Sequence, residues 1–328
     1  MKHLFVVNPK SFPNKKEMSE FVRSVDTLIG DSATVRISQY PRDAISKVNN
    51  FLKTATDQGE KVRVYAVGGD GILFDCLNGM LKYPNHELAS VPYGNANDFL
   101  RAFGDENVKL FRDIKKLSES PSVSTDIFRC GANVVISEAA IGLESSSILV
   151  TAKMANRLGK IRFLRKLIPF LYLLGAIVVL FKKSLRSQYY QIWLDGVDYS
   201  GEYIDVNIGN SYANGGTNTP NPYAVPNDGW LDAVFIKKMP LLQCLMKTGP
   251  FTHGQFEKYP NDFFHVRFRN LHATSKKPIR INCDGEAFYT SDLSIEIYPN
   301  ALKIIAPEGL QYKILRQYTT SPKMDANA

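Results

Sequence analysis

Tyr65-Ala66-Val67-Gly68-Gly69-Asp70-Gly71-Ile72-Leu73 is the stretch that decides the fold. An apolar run ends on three glycines set around one aspartate, and an apolar-periodic segment follows. The pattern predicts a strand, a tight loop and a helix. Glycine lets backbone N–H groups approach an anion closely, and a helix start adds the positive end of its dipole. A carboxylate beside phosphates repels them unless a cation lies between, so Asp70 points to a Mg-nucleotide site. Taken alone, the same residues read equally well as a structural turn. The chain contains no G-x-x-x-x-G-K-[ST] loop, Phe74 occupies the third position of a dinucleotide fingerprint, and no H-R-D or D-F-G set occurs.

The rhythm continues on both sides. Strands are expected at residues 4–7, 34–38, 62–67 and 88–92, and helices at 17–29, 43–53, 73–82 and 97–102. This alternation implies an α/β unit with a mostly parallel sheet and helices on both faces. Ligands of such sheets bind beyond the carboxyl ends of the strands. Three polar loops follow strands there: Asn8-Pro9-Lys10-Ser11, the GGDG loop, and Tyr93-Gly94-Asn95-Ala96-Asn97-Asp98. They are expected to emerge on one edge. Later in the chain, residues 188–194, 203–208, 231–236, 263–269, 279–283, 293–298 and 302–306 read as short strands separated by turns. That spacing predicts an antiparallel β-sandwich. The expected division is 1–125 for the α/β unit and 126–299 for the sandwich, tightly packed with a cleft between them.

With 328 residues, 44% of them hydrophobic and 22% charged, the chain has core enough for two units and is not disordered. The apolar run at Leu4-Phe5-Val6-Val7 is too short for a signal peptide. Cys76, Cys130, Cys244 and Cys283 form no C-x-x-C and read as buried free thiols of a reducing cytosol. No H-E-x-x-H or nucleophile elbow supports zinc hydrolysis or Ser-His-Asp chemistry.

The net charge of +8 is unevenly spread. Between Lys153 and Arg186 stand nine basic residues and no acidic one, Lys160, Arg162, Arg165, Lys166, Lys182 and Lys183 among them. The fifteen uncharged residues 167–181 in the middle would make a helix of about 22 Å, short of a bilayer core. Two readings stand side by side: a buried helix with solvated basic flanks, and a basic, apolar surface that docks on anionic lipid. Nucleic acid ranks lower, because the apolar interior is aliphatic and offers no aromatic stacking platform.

Four further motifs join the first: Gly94-Asn95-Ala96-Asn97-Asp98-Phe99, Ser124-Thr125-Asp126, the loop from Pro222 through Val225 and Asp228 to Trp230, and Cys283-Asp284-Gly285-Glu286. Each alone reads also as a cap or a turn. Together, in this order, they resemble the diacylglycerol kinase catalytic-domain family, soluble lipid kinases related to sphingosine kinases and more distantly to NAD kinase.

The resemblance implies a nucleotide-binding domain of the phosphofructokinase and NAD kinase type, a β-sandwich, and an active site in the cleft. The implied activity is transfer of the γ-phosphoryl group of ATP, with Mg²⁺, to a lipid hydroxyl such as that of diacylglycerol. Asn8, Gln39, Gly68, Gly69, Asp70, Gly71, Ile72, Gly94, Asn95 and Asn97 would bind ATP. Asp70, Asp98 and Asp126 would belong to a magnesium network. Asp228, with the carbonyls of Val225 and Trp230, matches a structural magnesium loop. Asp284 and Glu286 match the acidic pair that supplies the general base, with Asp70 completing the catalytic set. The final strands, from about residue 300 to 328, would return to the first domain. The expected setting is the cytoplasm, in peripheral contact with the inner, anionic face of the membrane. The family includes dimers.

The chain departs from the family pattern at several phosphate-side positions. Ile72 and Asn95 stand where threonines are usual, Phe12 replaces a loop glycine, Gln39 takes a threonine's place, and Asp75 a glutamate's. A hydrogen bond to a charged group contributes roughly 1.5–3 kcal/mol, so such losses weaken phosphate binding. Two other functions therefore stay open: a kinase of a soluble hydroxyl compound, and a non-catalytic lipid- or nucleotide-binding protein.

Overall fold

The computed structural model describes residues 1–158, 178–179, 181 and 187–318. Four strands open it: β1 (Lys2–Val7), β2 (Ala33–Ile37), β3 (Val62–Gly68) and β4 (Glu87–Pro92), paired in parallel in the order β2-β1-β3-β4. Helices α1 (Lys15–Ile29), α2 (Asp43–Asp57) and α3 (Asp70–Met80) connect them, and α4 (Asp98–Arg101) and α5 (Ile114–Glu119) follow β4. Helix α1 starts earlier than its apolar period suggests because Asn14 caps it. Asn14 Oδ1 accepts the Glu17 N–H at 3.0 Å, while its Nδ2 donates to Glu17 Oε1 at 2.9 Å.

Most of α3 is buried: Ile72, Leu73, Phe74, Asp75, Cys76, Leu77, Gly79 and Met80. A helix apolar all round has no solvent face. Most of its apolar residues belong to the core beneath β1, β3 and β4, but Phe74 belongs to the core of the second half.

That second half contains β5 (Ser122–Cys130), β6 (Asn133–Val135), β7 (Glu138–Gly142), α6 (Leu143–Leu158), β8 (Gln188–Leu194), β9 (Val197–Asp198), β10 (Gly201–Gly209), β11 (Leu231–Lys237), α7 (Leu241–Thr252), β12 (Phe263–Phe268), β13 (Asn270–Cys283) and β14 (Glu286–Ile305). Strands of both halves join one continuous sheet, ordered β12-β11-β10-β7-β13-β14-β4-β3-β1-β2. The sheet is therefore mixed and strand-rich. Its parallel pairings lie among β1 to β4 and where β14 meets β4.

Two expected strands, at 293–298 and 302–306, are a single strand. Pro299-Asn300 looks like a turn, but Asn300 only takes a left-handed conformation (φ 55°) and the ladder with β5 resumes after a register shift. One end of β14 thus pairs with β13, and the other, at Lys303 and Ile304, with β4. Strand β5 follows it on both sides of the shift, from Cys130 opposite Ile295 to Ser122 opposite Ile305. Beyond β14 the chain stays on the first half: Tyr312 packs on Phe99 and Phe103, and the Lys313 N–H donates to Ala102 O at 2.7 Å.

The sequence places a strand just after Ser124-Thr125-Asp126; strand β5 starts earlier, at Ser122, and takes all three in, because its central buried residues are polar and satisfied by polar partners. Thr125 bonds the Tyr312 hydroxyl at 2.5 Å. Asp126, fully buried, accepts the Gly229 N–H on Oδ2 and the Asn300 N–H on Oδ1, both at 2.7 Å. All four cysteines are buried and none is in a disulfide. Among the described residues, no helix is long and apolar enough to cross a membrane.

Asp126 thus fastens the 222–230 loop and the β14 irregularity to β5. Asp126→Asn keeps one acceptor and orphans one buried N–H, which costs about 1–3 kcal/mol. A urea midpoint equal to that of the parent protein would contradict this role.

Candidate active site

The three polar loops meet at the carboxyl ends of β1, β3 and β4. The Asn8 N–H donates to Val67 O at 3.0 Å, and the N–H groups of Tyr93 and Gly94 donate to Gly68 O at 2.8 and 2.9 Å. Gly68 has a φ of +156°, and a Cβ there would lie 2.8 Å from Ile72 Cγ2 and 3.0 Å from Ser11 Oγ. At Gly94 a Cβ would fall 2.3 Å from the Cα of Gly69. The second and third loops are thus in backbone contact.

The substituted positions have a structural meaning here. Phe12 stacks on Tyr93 with ring centroids 4.4 Å apart, joining the first loop to the third. Ile72 is buried in the core. Asn95, Gln39 and Gly71 are exposed, and Gly71 has open space around it. Asn8 folds its Oδ1 onto the Lys10 N–H at 3.1 Å. Asn97, in a left-handed conformation, donates to Gly94 O at 2.8 Å, and its buried Oδ1 has no protein partner. These loops would face an anion mainly with backbone N–H groups, helped by the start of α3.

Asp70 is the first residue of α3, and the backbone N–H of Phe99, at the start of α4, offsets part of the rise in its carboxyl. Burial, together with the charges of Asp98 and Asp284, pushes its carboxyl up to about 7. Asp98 reaches the other half, accepting the Gly215 N–H at 2.9 Å and the Gly216 N–H at 2.7 Å. Asp126 is a tie in the fold, with both oxygens bound to backbone N–H groups. Among the described residues, no three His, Cys, Asp or Glu side chains form a ready-made metal cage. The mutual repulsion of Asp70, Asp98 and Asp284 nevertheless suits a divalent cation that takes its remaining ligands from phosphate and water.

Asp284 occupies the turn between β13 and β14, with φ +45° followed by Gly285 at +88°. Such a two-residue hairpin turn favours Asp-Gly. Its carboxylate accepts three backbone N–H groups: Ile136 on Oδ2 at 2.9 Å, and Ser137 and Glu138 on Oδ1 at 3.0 and 2.9 Å. Burial raises its carboxyl, these bonds pull it back, and the result is about 6. Glu286, half-buried at the start of β14, meets Arg42. Arg42 Nη2 lies 3.3 Å from Glu286 Oε2 and Nη1 lies 3.6 Å from Asp75 Oδ1. The guanidinium sits 4.6 Å over the Phe74 ring. Arg42 is itself left-handed (φ 68°), a conformation that costs a non-glycine residue roughly 1–2 kcal/mol.

Sequence reasoning missed Arg42 and a group of buried acids behind Asp284. Glu138, Glu144 and Asp205 are all raised, by burial first; neighbouring charges add to the rise at Glu138 and Asp205, while amide donors from Asn282, Asn214 and Asn207 offset part of it at Glu144. The available signal was an acid beside short apolar stretches: Glu138 heads Ala139-Ala140-Ile141, and Asp205 stands between Ile204 and Val206. Asp228 contacts Arg267, and its loop is taken up below. Lys160, Arg162, Arg165, Lys166, Lys182 and Lys183 lie outside the described residues.

Residues 2–130 match the diacylglycerol kinase catalytic domain, and residues 147–306 match the YegS C-terminal NAD kinase beta sandwich-like domain. Among curated relatives, a YegS-like probable lipid kinase of Alcanivorax borkumensis is 26% identical over 283 residues, covering 85% of this chain and 89% of the relative. A diacylglycerol kinase of Staphylococcus aureus is 24% identical over 258 residues, 78% of each chain. The crystal structure of a diacylglycerol kinase from Bacillus anthracis superposes with a TM-score of 0.66 at 19% identity, covering 94% of this chain and 98% of that one, and bears on the fold alone.

The raised carboxyl of Asp70 fixes a pH dependence. Its ordinary value is 3.8 and its folded value about 7. Between these the folded state holds more protons than the unfolded, so the stability contribution of Asp70 falls as pH rises from about 4 to 7. Asp70→Asn should therefore gain on the parent protein in thermal unfolding at pH 8 relative to pH 4. An identical difference at both pH values would show that Asp70 is not held in this way.

Proposed function

The chain belongs to the diacylglycerol kinase catalytic-domain family, and on that footing we propose that it is an ATP- and Mg²⁺-dependent lipid kinase. It would transfer the γ-phosphoryl group to the hydroxyl of diacylglycerol or a similar lipid, in the cleft between the two halves. The observation that carries this reading is the bridge from the phosphate-side edge to the acidic pair: Arg42 and Asp75 on one side, Glu286 on the other. It ties a carboxylate on the second half to α3, the helix that the GGDG loop opens.

Phosphoryl transfer needs positioning and charge neutralisation more than covalent chemistry. Backbone N–H groups of Gly69 to Ile72 would cradle the phosphates, with Gly94 packed against Gly69. Asp70 and Asp98 would hold the cation. When bound, Mg²⁺ neutralises the charge that builds on the phosphate oxygens. Asp284, with three N–H groups on its carboxylate, sets the turn that presents Glu286. Glu286 keeps an accessible carboxylate and would accept the hydroxyl proton, worth roughly 10²–10⁴-fold in rate. Arg42 would orient it.

The acceptor would come from the membrane. The segment 153–186 supplies basic charge and an apolar interior suited to an anionic bilayer, each basic residue contributing about 1 kcal/mol near the surface.

Radiolabel transfer from γ-labelled ATP into a mixed lipid extract tests the assignment. The parent protein should label a lipid. Glu286→Gln should slow labelling by about 10²–10⁴-fold. Arg42→Gly, which removes the guanidinium and suits the left-handed backbone, should lower kcat about 10- to 100-fold with little change in the KM for ATP. Absence of label in every lipid would favour a binding role, and normal turnover by Glu286→Gln would remove its role as base. For the membrane, Lys182→Glu with Lys183→Glu should reduce sedimentation with anionic vesicles; unchanged sedimentation would refute docking through this segment.

A further inference from the structure

The loop at 222–230 is where the family resemblance implies a structural magnesium ion, held by Asp228 and by the carbonyls of Val225 and Trp230. The groups present do not fit one. Arg267, on β12, places its Nη2 in direct contact with Asp228 Oδ2. Asp228 Oδ1 accepts the Trp230 N–H at 3.0 Å, and the oxygen that the backbone leaves open, Oδ2, is the one the guanidinium takes. The Val225 carbonyl accepts the Asn227 N–H at 2.7 Å and the Asp228 N–H at 3.4 Å.

The guanidinium is firmly placed. Its Nε lies 3.5 Å from Oδ1 of Asp232, a fully buried carboxylate that also meets His265 Nε2 at 2.6 Å. The rings of Trp230 and Tyr318 lie 5.7 and 5.0 Å from its central carbon, within cation–π range. The Arg267 side chain is only 17% exposed. A guanidinium stays protonated at every pH a protein survives. Mg²⁺ demands near-octahedral oxygen ligation, and here it would meet a permanent positive charge on its only acidic ligand.

We infer that Arg267 is the resident cation of this loop, anchoring Asp228 and Asp232 together, and that the loop takes up no divalent metal. This goes beyond the kinase reading and holds whatever the acceptor is. It separates two roles that the resemblance assigns to one ion species: any Mg²⁺ serving Asp70 and Asp98 would be a substrate-side ion, whereas the fold of the second half would be metal-independent.

Thermal unfolding of the full chain in EDTA and in millimolar Mg²⁺, without nucleotide, tests this. The expected result is that Asp228→Asn leaves the response to Mg²⁺ unchanged, while Arg267→Gln lowers Tm by several degrees in both conditions. A Mg²⁺ effect that survives Asp228→Asn belongs elsewhere in the chain and supports the assignment. A Mg²⁺-dependent stabilisation of the parent protein that disappears in Asp228→Asn would overturn it, as would an Arg267→Gln variant as stable as the parent. If Arg267→Gln does not fold, Arg267→Lys keeps the charge and should retain the parental response to Mg²⁺; a Mg²⁺-dependent stabilisation gained there would overturn the assignment, as would a parental dependence lost with Asp228→Asn.

Discussion

Helix α3 is buried on nearly every side, and the geometry of the candidate site depends on that burial. Ile72, Leu73, Cys76, Leu77 and Met80 belong to the core of the first half, and Phe74 to that of the second. A helix gripped by two cores can neither roll nor slide without opening one of them. Its first residue, Asp70, therefore holds a fixed place relative to both β4 and the β13–β14 turn. The same grip explains why Asp70 is so hard to ionise: it sits where two packed halves exclude water and where Asp98 and Asp284 add their charges.

The loops around α3 rely on packing where the family pattern relies on side-chain donors. Phe12 stacks on Tyr93, and Ile72 fills the space beside Gly68. These apolar substitutions brace the loops against one another and leave backbone N–H groups to face a ligand. Rigid, preorganised donors cost little reorganisation when charge develops, so a loop braced in this way can still serve phosphoryl transfer.

The strand-loop-helix at Gly68–Asp70 was legible because its periodicity and glycines are local. So were the Asp-Gly turn at Asp284 and the antiparallel character of the second half. What escaped was whatever depends on distant partners. Strand β5 runs back through its polar centre because Asp126 and Thr125 find partners far along the chain. Strand β14 looked like two strands because Pro299-Asn300 imitates a turn while β5 holds the ladder together across it. Arg42 is an ordinary basic residue in the sequence; its left-handed backbone and its contact with Asp75 belong to the first half, and its contact with Glu286 exists only once the two halves meet.

The contact between Gly69 and Gly94 has a consequence for how this site can change over generations. The two backbones touch where any side chain on Gly94 would collide. The loops that carry them are therefore a single inherited unit: a substitution that reshapes one is admissible only with a matching change in the other. Lineages altering nucleotide preference would be expected to alter both loops together, and a transplant of either loop alone into a related scaffold would separate two surfaces that fit only each other.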